Sequence, residues 1–330
     1  MMNHWQEFTE SQSAKTASGN FICDASELGL ILVNGDDAES FLQNQLSNDI
    51  NHIDETRFQL SSYSTAKGRL LSIFQVVRIS NGFILITPLS MVETLLQRFQ
   101  MFVVQSKVSL ANASDHFARF AFQTDNKDIT RHPDLPELEG RVIQNDSLIS
   151  LRLGSLDQQN RYLVLCLSAD EARSMWNEFN QHLRVANFDA WRLSQIKSGI
   201  PTIYPQTSEE FVLQMANLDL LEGVSFKKGC FPGQEIIARM HYLGKLKRRL
   251  FLASFRTDQC PLPGDDIIAR GAQSADGSGK VVDAVIDDEG ICYCLYIAQI
   301  KKATNNELCL MDQSQVAITS INMPYTVPEI

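Results

Sequence analysis

The 330-residue chain predicts an α+β fold: two units in which antiparallel strands precede an amphipathic helix, followed by a small C-terminal β-barrel. Three observations lead there. Apolar residues switch between a strand period of two and a helical period near 3.6. Gly-bearing turns separate successive apolar runs. Beyond "GKLKRRL" helical spacing stops, and short runs are divided by Pro, Gly, Asp and Asn clusters.

The elements follow in order. "ELGLILVNGDDAESFLQNQL" begins as an apolar strand, turns at Asn34-Gly35, and continues with Ala38, Phe41, Leu42, Gln45 and Leu46 at helical spacing. "RFQLSSYS", "RLLSIFQVVRI" and "GFILITPL" read as a meander with turns at Lys67-Gly68 and Asn81-Gly82, the second a two-residue hairpin signal. "SMVETLLQRFQMFVVQ" places Met91, Leu95, Leu96 and Phe99 on one face, with Ser90 as expected N-cap after Pro88. The grammar then repeats: strands at "FARFAFQ", "LISLRL" and "RYLVLCL", and a helix at "ADEARSMWNEFNQHL". Strands followed by a covering helix argue against a doubly wound parallel sheet. The expected strands of the barrel are "LFLASF", "DDIIARG", "GKVVDAVID", "GICYCLYIA" and "VAITSI". The expected domains are thus 1–245, made of subdomains near 1–110 and 111–245, and a barrel over 246–330.

Composition narrows the class. With 44% apolar and 21% charged residues the chain reads as globular, and no apolar run approaches the roughly 20 residues of a membrane span. The polar start "MMNHWQEFTESQSAKTASGN" lacks the basic and apolar regions of a secretory signal. Seven scattered cysteines, an odd number, do not form a disulfide framework. The expectation is a soluble cytoplasmic protein without membrane association. A net charge of -10 opposes broad attraction to nucleic acid. One island departs from it: Leu221–Leu250 holds seven cations against two acids. It reads either as a solvated rim or as an anion site.

Within that island lies "KKGCFPGQEIIAR", Lys227 to Arg239. It has neither the Gly-Lys-Ser/Thr of a phosphate loop nor the CxxC of a zinc knuckle. The thiolate is the reactive form of cysteine, and cations or a helix N-terminus favour it. Lys227 and Lys228 precede Cys230, and Pro232-Gly233 leads into an expected helix. Two readings stay open: a reactive thiol, or a small buried residue in a tight turn. Gly229 and Gly233 permit sharp turns on either side, and Gln234 and Glu235 stand where helix caps belong. His241 offers no evident base for the thiol. Cys292 and Cys294 share one side of a strand and, without further ligands at metal-binding spacing, read as core residues. No metal site is expected.

The stretch Lys228, Gly229, Cys230, Phe231, Gly233, Gln234, Glu235 closely resembles the Lys-Gly-Cys-aromatic-x-Gly-Gln-Glu signature of YgfZ-type proteins, folate-binding relatives of the glycine-cleavage aminomethyltransferase. "FLQNQLSNDI", "STAKGRLLSIFQVVR" and "GIPTIYPQTSEEFVLQMANLDLLEGVSFKKG" are similar to further segments of that family. The resemblance implies two α+β units and a barrel in a ring-like, folate-binding body, with tetrahydrofolate or a derivative as cofactor. It implies folate contact for Trp191, with Leu28 at the place often held by a second tryptophan, and for Gln234 and Glu235. Trp5 or Phe21 are the candidate substitutes for that missing ring; without the resemblance, Trp191 reads as a core residue at a helix start. The aminomethyltransferase carries an Asp-Asp pair where this strand has Ser72 and Ile73, so the amine-positioning acid is missing. General acid-base help is worth roughly 10²- to 10⁴-fold.

Three functions follow. The first is a folate-binding accessory protein for iron-sulfur enzymes, including tRNA-modifying ones, with Cys230 as a redox or metal-transfer thiol and Lys228 as its electrostatic support. The second is an active one-carbon (aminomethyl) transferase on an unknown amine. The third, direct tRNA binding through the basic island, is the weakest, because no RRM or KH signature is present.

Overall fold

The computed structural model describes residues 2–11, 15–17, 19–104, 106–313 and 316–328. Along the chain, α1 (Met2–Glu10) is followed by β1 (Phe21–Asp24), β2 (Leu28–Asn34), α2 (Ala38–Gln45), β3 (Phe58–Ser64), β4 (Leu70–Ile79), β5 (Gly82–Pro88), α3 (Val92–Gln100) and β6 (Ser109–Asn112). Next come β7 (Ala118–Thr124), α4 (Lys127–Thr130), β8 (Arg141–Gln144), β9 (Leu148–Leu156), β10 (Gln159–Cys166), α5 (Ala169–Phe179), β11 (Arg184–Ala186) and α6 (Phe188–Lys197). A long stretch without strands leads to α7 (Gln234–Leu243), β12 (Arg248–Arg256), β13 (Asp266–Ala269), β14 (Gly279–Ile286), β15 (Ile291–Gln299), α8 (Ile300–Thr304), β16 (Leu308–Leu310), β17 (Ala317–Ile318) and β18 (Ser320–Ile321). The architecture is α+β, as the strand and helix grammar predicts. No helix among the described residues is long and apolar enough to cross a membrane.

The chain divides into two compact units. The first comprises Met1–Gln43, Asp49–Leu60 and Phe74–Trp191; the second comprises Asn44–Asn48, Ser61–Ile73 and Arg192–Ile330. Two short pieces from the N-terminal third, including the starts and ends of motifs singled out above, therefore belong with the C-terminal residues.

In the first unit, a six-stranded sheet runs β11-β1-β7-β10-β9-β8. Its β7, buried at every position, pairs antiparallel with both β1 and β10. Asp157 and Gln158 both take left-handed backbone and close the β9–β10 hairpin in two residues, the geometry whose twist matches that of the strands. No Gly marks that turn in the sequence. One face packs Phe120, Tyr162 and Val164 against α5 residues Met175, Trp176 and Phe179. Helix α1, unread in the sequence, joins this cluster through Trp5, whose indole meets Trp176 edge-on at 5.7 Å and donates to Asp24 Oδ1 at 2.8 Å.

A five-stranded sheet has the order β3-β4-β5-β2-β6. The β4–β5 turn is Ser80-Asn81, with Gly82 already paired to Ile79. Gly82 is required there, at φ +146°, because a Cβ would lie 2.1 Å from the Val33 carbonyl oxygen. Ser90 does not cap α3: it lies inside a 3-10 turn, Leu89–Met91, and neither start has a side-chain cap. Pro88 is still paired with Leu28, so the chain needs that extra tight turn to leave the sheet before the helix begins.

The C-terminal strands form one sheet, β17-β16-β13-β14-β15-β12-β18. The expected strand "VAITSI" is split: β17 and β18, one residue apart in the chain, lie at opposite edges of the sheet. That short connection brings the two edges together into a nearly closed barrel, which removes the exposed edges an open sheet would leave. Cys292 and Cys294 are fully buried in its core beside Tyr296 and Val281.

Candidate functional site

The exposed cysteine Cys230 sits in a shallow pocket of about 430 Å³ lined by Ala66, Phe231, Gly233, Gln234, Glu235 and Ala238. Its surroundings come from segments far apart in sequence. Lys228 is buried (8% exposed), and its ammonium donates to the carbonyl oxygens of Leu46 at 2.6 Å and Asn48 at 3.0 Å. The same "LSN" segment is held by further bonds: Ser47 Oγ donates to Gly223 O at 2.7 Å, Asn48 Nδ2 to Glu222 O at 2.7 Å, and Ser225 N to Ser47 O at 3.0 Å. Lys228 thus fastens the loop before Cys230 to the end of the first helical motif. Its ammonium also stands 5.3 Å from the ring centroid of the buried Phe231.

On the other side the loop leans on the Lys67-Gly68 turn. Gly233 has φ +80° and caps α7; a Cβ there would lie 2.6 Å from Gly68 Cα and 2.6 Å from Thr65 O. Gly68 in turn faces Ile236 of α7, whose Cβ would be 3.2 Å from an added methyl. Two glycines are needed because two backbones touch. Gln234 folds back, donating from Nε2 to Lys228 O at 3.3 Å, while its backbone N–H bonds Phe231 O at 3.1 Å. Glu235 is exposed.

The beginning of β4 is gripped by the stretch before the motif. Leu70 N donates to Phe211 O at 2.7 Å, Glu209 N to Leu70 O at 2.8 Å, and Ser208 Oγ to Leu71 O at 3.1 Å. Ser72 and Ile73 follow, both buried, with no carboxylate at either position. Two segments distant in sequence, Leu46–Asn48 and Thr65–Gly68, therefore hold this loop and leave Cys230 outward, without a hydrogen-bond partner among the described residues. Of the two readings of this thiol, burial in a turn is excluded.

Trp191 and Leu28 lie in the first unit, where both belong to one apolar cluster with Phe21 and Leu163. The Trp191 indole is 2% exposed, and the Arg161 guanidinium stands 5.3 Å from its ring centroid. Arg161 is itself fully buried, and that burial pushes its pKa down to about 9. A pterin reaches the indole only if the ring is uncovered. Arg161 was not singled out in the sequence; its one signal is a cation on the inward-facing side of "RYLVLC". Trp5, a candidate substitute ring, is buried in the other cluster of this unit, and Phe21 is 1% exposed. Among the described residues, no group of three or more His, Cys, Asp or Glu side chains is arranged to hold a metal ion.

The backbone is that of an aminomethyltransferase-like protein: it superposes on the glycine cleavage system aminomethyltransferase T of Bartonella henselae with a TM-score of 0.72 at 14% identity, over 94% of this chain and 86% of that one. The likeness is one of fold. By sequence the chain is YgfZ-like along nearly its whole length. It is 28% identical to the tRNA-modifying protein YgfZ of Colwellia psychrerythraea over 93% of this chain and 94% of the relative, and 29% identical to that of Edwardsiella ictaluri over 91% and 90%. A further YgfZ relative, from Klebsiella pneumoniae, is 28% identical over 79% of this chain. No family model matches the chain.

Proposed function

We propose that the protein is an accessory factor in tRNA modification, with a folate-binding body that supports iron-sulfur enzymes and with Cys230 as its working thiol. The observation that carries this reading is the construction around Cys230. A buried lysine, a pair of touching glycines and a back-folded glutamine are all spent on holding one loop whose cysteine faces solvent. Residues that only completed a core would have no reason to present a thiol. In this role the Cys230 sulfur either attacks a disulfide, forming a mixed disulfide as the other half leaves as a thiol, or holds a soft metal in transit.

Tetrahydrofolate is the proposed ligand because the fold is aminomethyltransferase-like and this chain's cysteine motif resembles the signature of the folate-binding YgfZ family. Bound folate would supply a one-carbon carrier; Leu28 and Trp191 would meet its pterin once the indole, now covered by Arg161 and the core around it, is uncovered. Ser72 and Ile73 leave the strand without the acid that transfer to folate from an amine requires, so an accessory role is favoured over turnover. Sustained formation of methylene-tetrahydrofolate from an added amine would reverse that preference.

Complementation tests the proposal. A strain lacking the gene is expected to show reduced tRNA thiolation, restored by the parent chain and not by Cys230→Ala. Full restoration by Cys230→Ala removes the thiol from the function. Calorimetric titration with tetrahydrofolate, parent against Trp191→Leu, tests the ligand separately, and absence of heat in both would remove folate.

A further inference from the structure

The end of α7 and the start of β12 carry a surface that the thiol and folate reading leaves unused. Between Arg239 and Leu250 the sequence holds five cations, Arg239, Lys245, Lys247, Arg248 and Arg249, and no acid, in a chain of net charge -10. The second unit has a cleft of about 1220 Å³ there, lined by Lys247, Arg248, Arg249 and Lys301 together with apolar side chains that include Phe251 and Ile300, and, among the described residues, by no Asp or Glu. Asp219 forms a two-pronged pair with Arg249, and Asp276 pairs with Lys302. Lys245, Lys247 and Lys301 are exposed. Among the described residues none of these three lysines forms an ion pair.

Aromatic side chains stand at the same end of α7. His241 is stacked on Phe226, centroids 3.8 Å apart and planes 15° apart, and Tyr242 closes on His241 edge-on at 4.7 Å. Tyr242 is 66% exposed and the neighbouring Leu243 83%. Folding leaves a ring this size in water at the cost of about 25 cal/mol per Å² of apolar surface not buried. A stacked ring pair beside a row of unmatched cations is the combination that holds single-stranded nucleic acid: cations track the phosphates and rings accept unstacked bases.

We propose that this strip, from Arg239 through Lys247 to Lys301, binds RNA, with phosphates along the basic cleft and an unstacked base on Tyr242. An acidic peptide would satisfy the lysines and leave the exposed ring without a role, so RNA is the favoured partner. The site stands independently of folate and of Cys230.

Fluorescence anisotropy of the full-length protein with a labelled, unmodified tRNA transcript, repeated over a salt series, tests this. The parent should bind with a steep salt dependence. Lys247→Ala/Lys301→Ala should bind about tenfold more weakly and with a log–log slope smaller by about 2, one for each phosphate no longer neutralised. Tyr242→Ala should weaken binding by roughly fivefold or more while the slope stays as in the parent, since base stacking carries no counterion release. All three side chains are exposed, so urea midpoints should match the parent, which separates a binding defect from a folding defect. The proposal is overturned if the parent does not bind, if the double variant binds as the parent does, if Tyr242→Ala binds unchanged, or if polyglutamate competes as well as tRNA. Because the assay contains no folate and reads no thiol chemistry, such a failure leaves the accessory reading standing.

Discussion

Gly233→Ala tests the construction of the cysteine loop most sharply. The native φ of +80° lies in the left-handed region, where an L-residue with a Cβ costs about 1–2 kcal/mol. The added methyl would also lie 2.6 Å from Gly68 Cα, 2.6 Å from Thr65 O and 2.7 Å from Gly68 N. All three are backbone atoms, so no flexible side chain can yield, and overpacking of this kind typically costs about 1–3 kcal/mol. The expected loss is roughly 2–5 kcal/mol, the sum of these ranges. Urea unfolding followed by circular dichroism should show it as a fall in midpoint of roughly 0.7–1.7 M for a slope near 3 kcal/mol/M. Gly229→Ala is the control: an added Cβ meets nothing within 4 Å, and its midpoint should match the parent. If Gly233→Ala is as stable as Gly229→Ala, the Gly68–Gly233 contact does not hold the loop.

The remaining predictions address the charges and thiols around it. Lys228→Met strands the carbonyls of Leu46 and Asn48 and should cost about 2–4 kcal/mol in the same urea assay, at about 1–3 kcal/mol for each buried group left unpaired and with some relaxation. Arg249→Met leaves the largely covered carboxylate of Asp219, 11% exposed, without its partner and should cost about 3 kcal/mol, most of which Asp219→Asn should recover in the double variant. Burial acts to raise the Asp276 pKa, but hydrogen bonds from Ser278 and Lys302 outweigh it and hold the carboxyl at about 2. A depressed folded-state pKa means that this contribution is complete above the ordinary carboxylate value and is lost as pH falls toward 2; urea midpoints of the parent should drop across that window more steeply than those of Asp276→Asn. Iodoacetamide should label Cys230 first in the native protein. Burial pushes the Cys166 thiol up to about 12, and Cys23, Cys292 and Cys294 are fully buried, so these four should react only on unfolding; early modification of any of them, read by mass spectrometry, contradicts the packing.

Much of the fold could be read because periodicity and burial agree. β7, β9 and β10 appear where "FARFAFQ", "LISLRL" and "RYLVLCL" stand, since strands packed in a core keep their apolar runs intact. Helix α1 was not legible because its nine residues place only two rings on the core, Trp5 and Phe8 one helical turn apart, and a single i, i+3 repeat among polar neighbours is too short to establish a period. The β9–β10 turn escaped because Asp157 and Gln158, not Gly, take the left-handed backbone. Short strands such as β11 and β16 owe their state to a neighbour's edge and not to their own residues, so local pattern carries no trace of them. Of the site, the motif around Cys230 and its glycines was readable, as was the spacing that starts α7. What Lys228 does was not: charge next to a thiol suggests a local field, whereas its bonds run to carbonyls some 180 positions earlier in the chain.

That long reach explains why the motif is spread over the sequence as it is. A loop that must expose a cysteine cannot be stabilised by burying its own centre, because the centre is the exposed part. Its flanks have to carry the ordering cost, about 1–2 kcal/mol for each backbone residue fixed. Here one flank is tied through Lys228 to Leu46 and Asn48, and the other is packed through Gly233 against Gly68. Each tie uses a residue type with no easy substitute: a long cation that can satisfy two carbonyls at once, and a pair of glycines that let two backbones meet. Loosening either flank should therefore cost stability before it changes the chemistry of the sulfur. Replacing Cys230 should do the reverse, leaving the urea midpoint where it was and removing only what the thiol does. A Cys230→Ala protein that unfolds markedly earlier than the parent would mean that the cysteine is part of the support and not what the support is for.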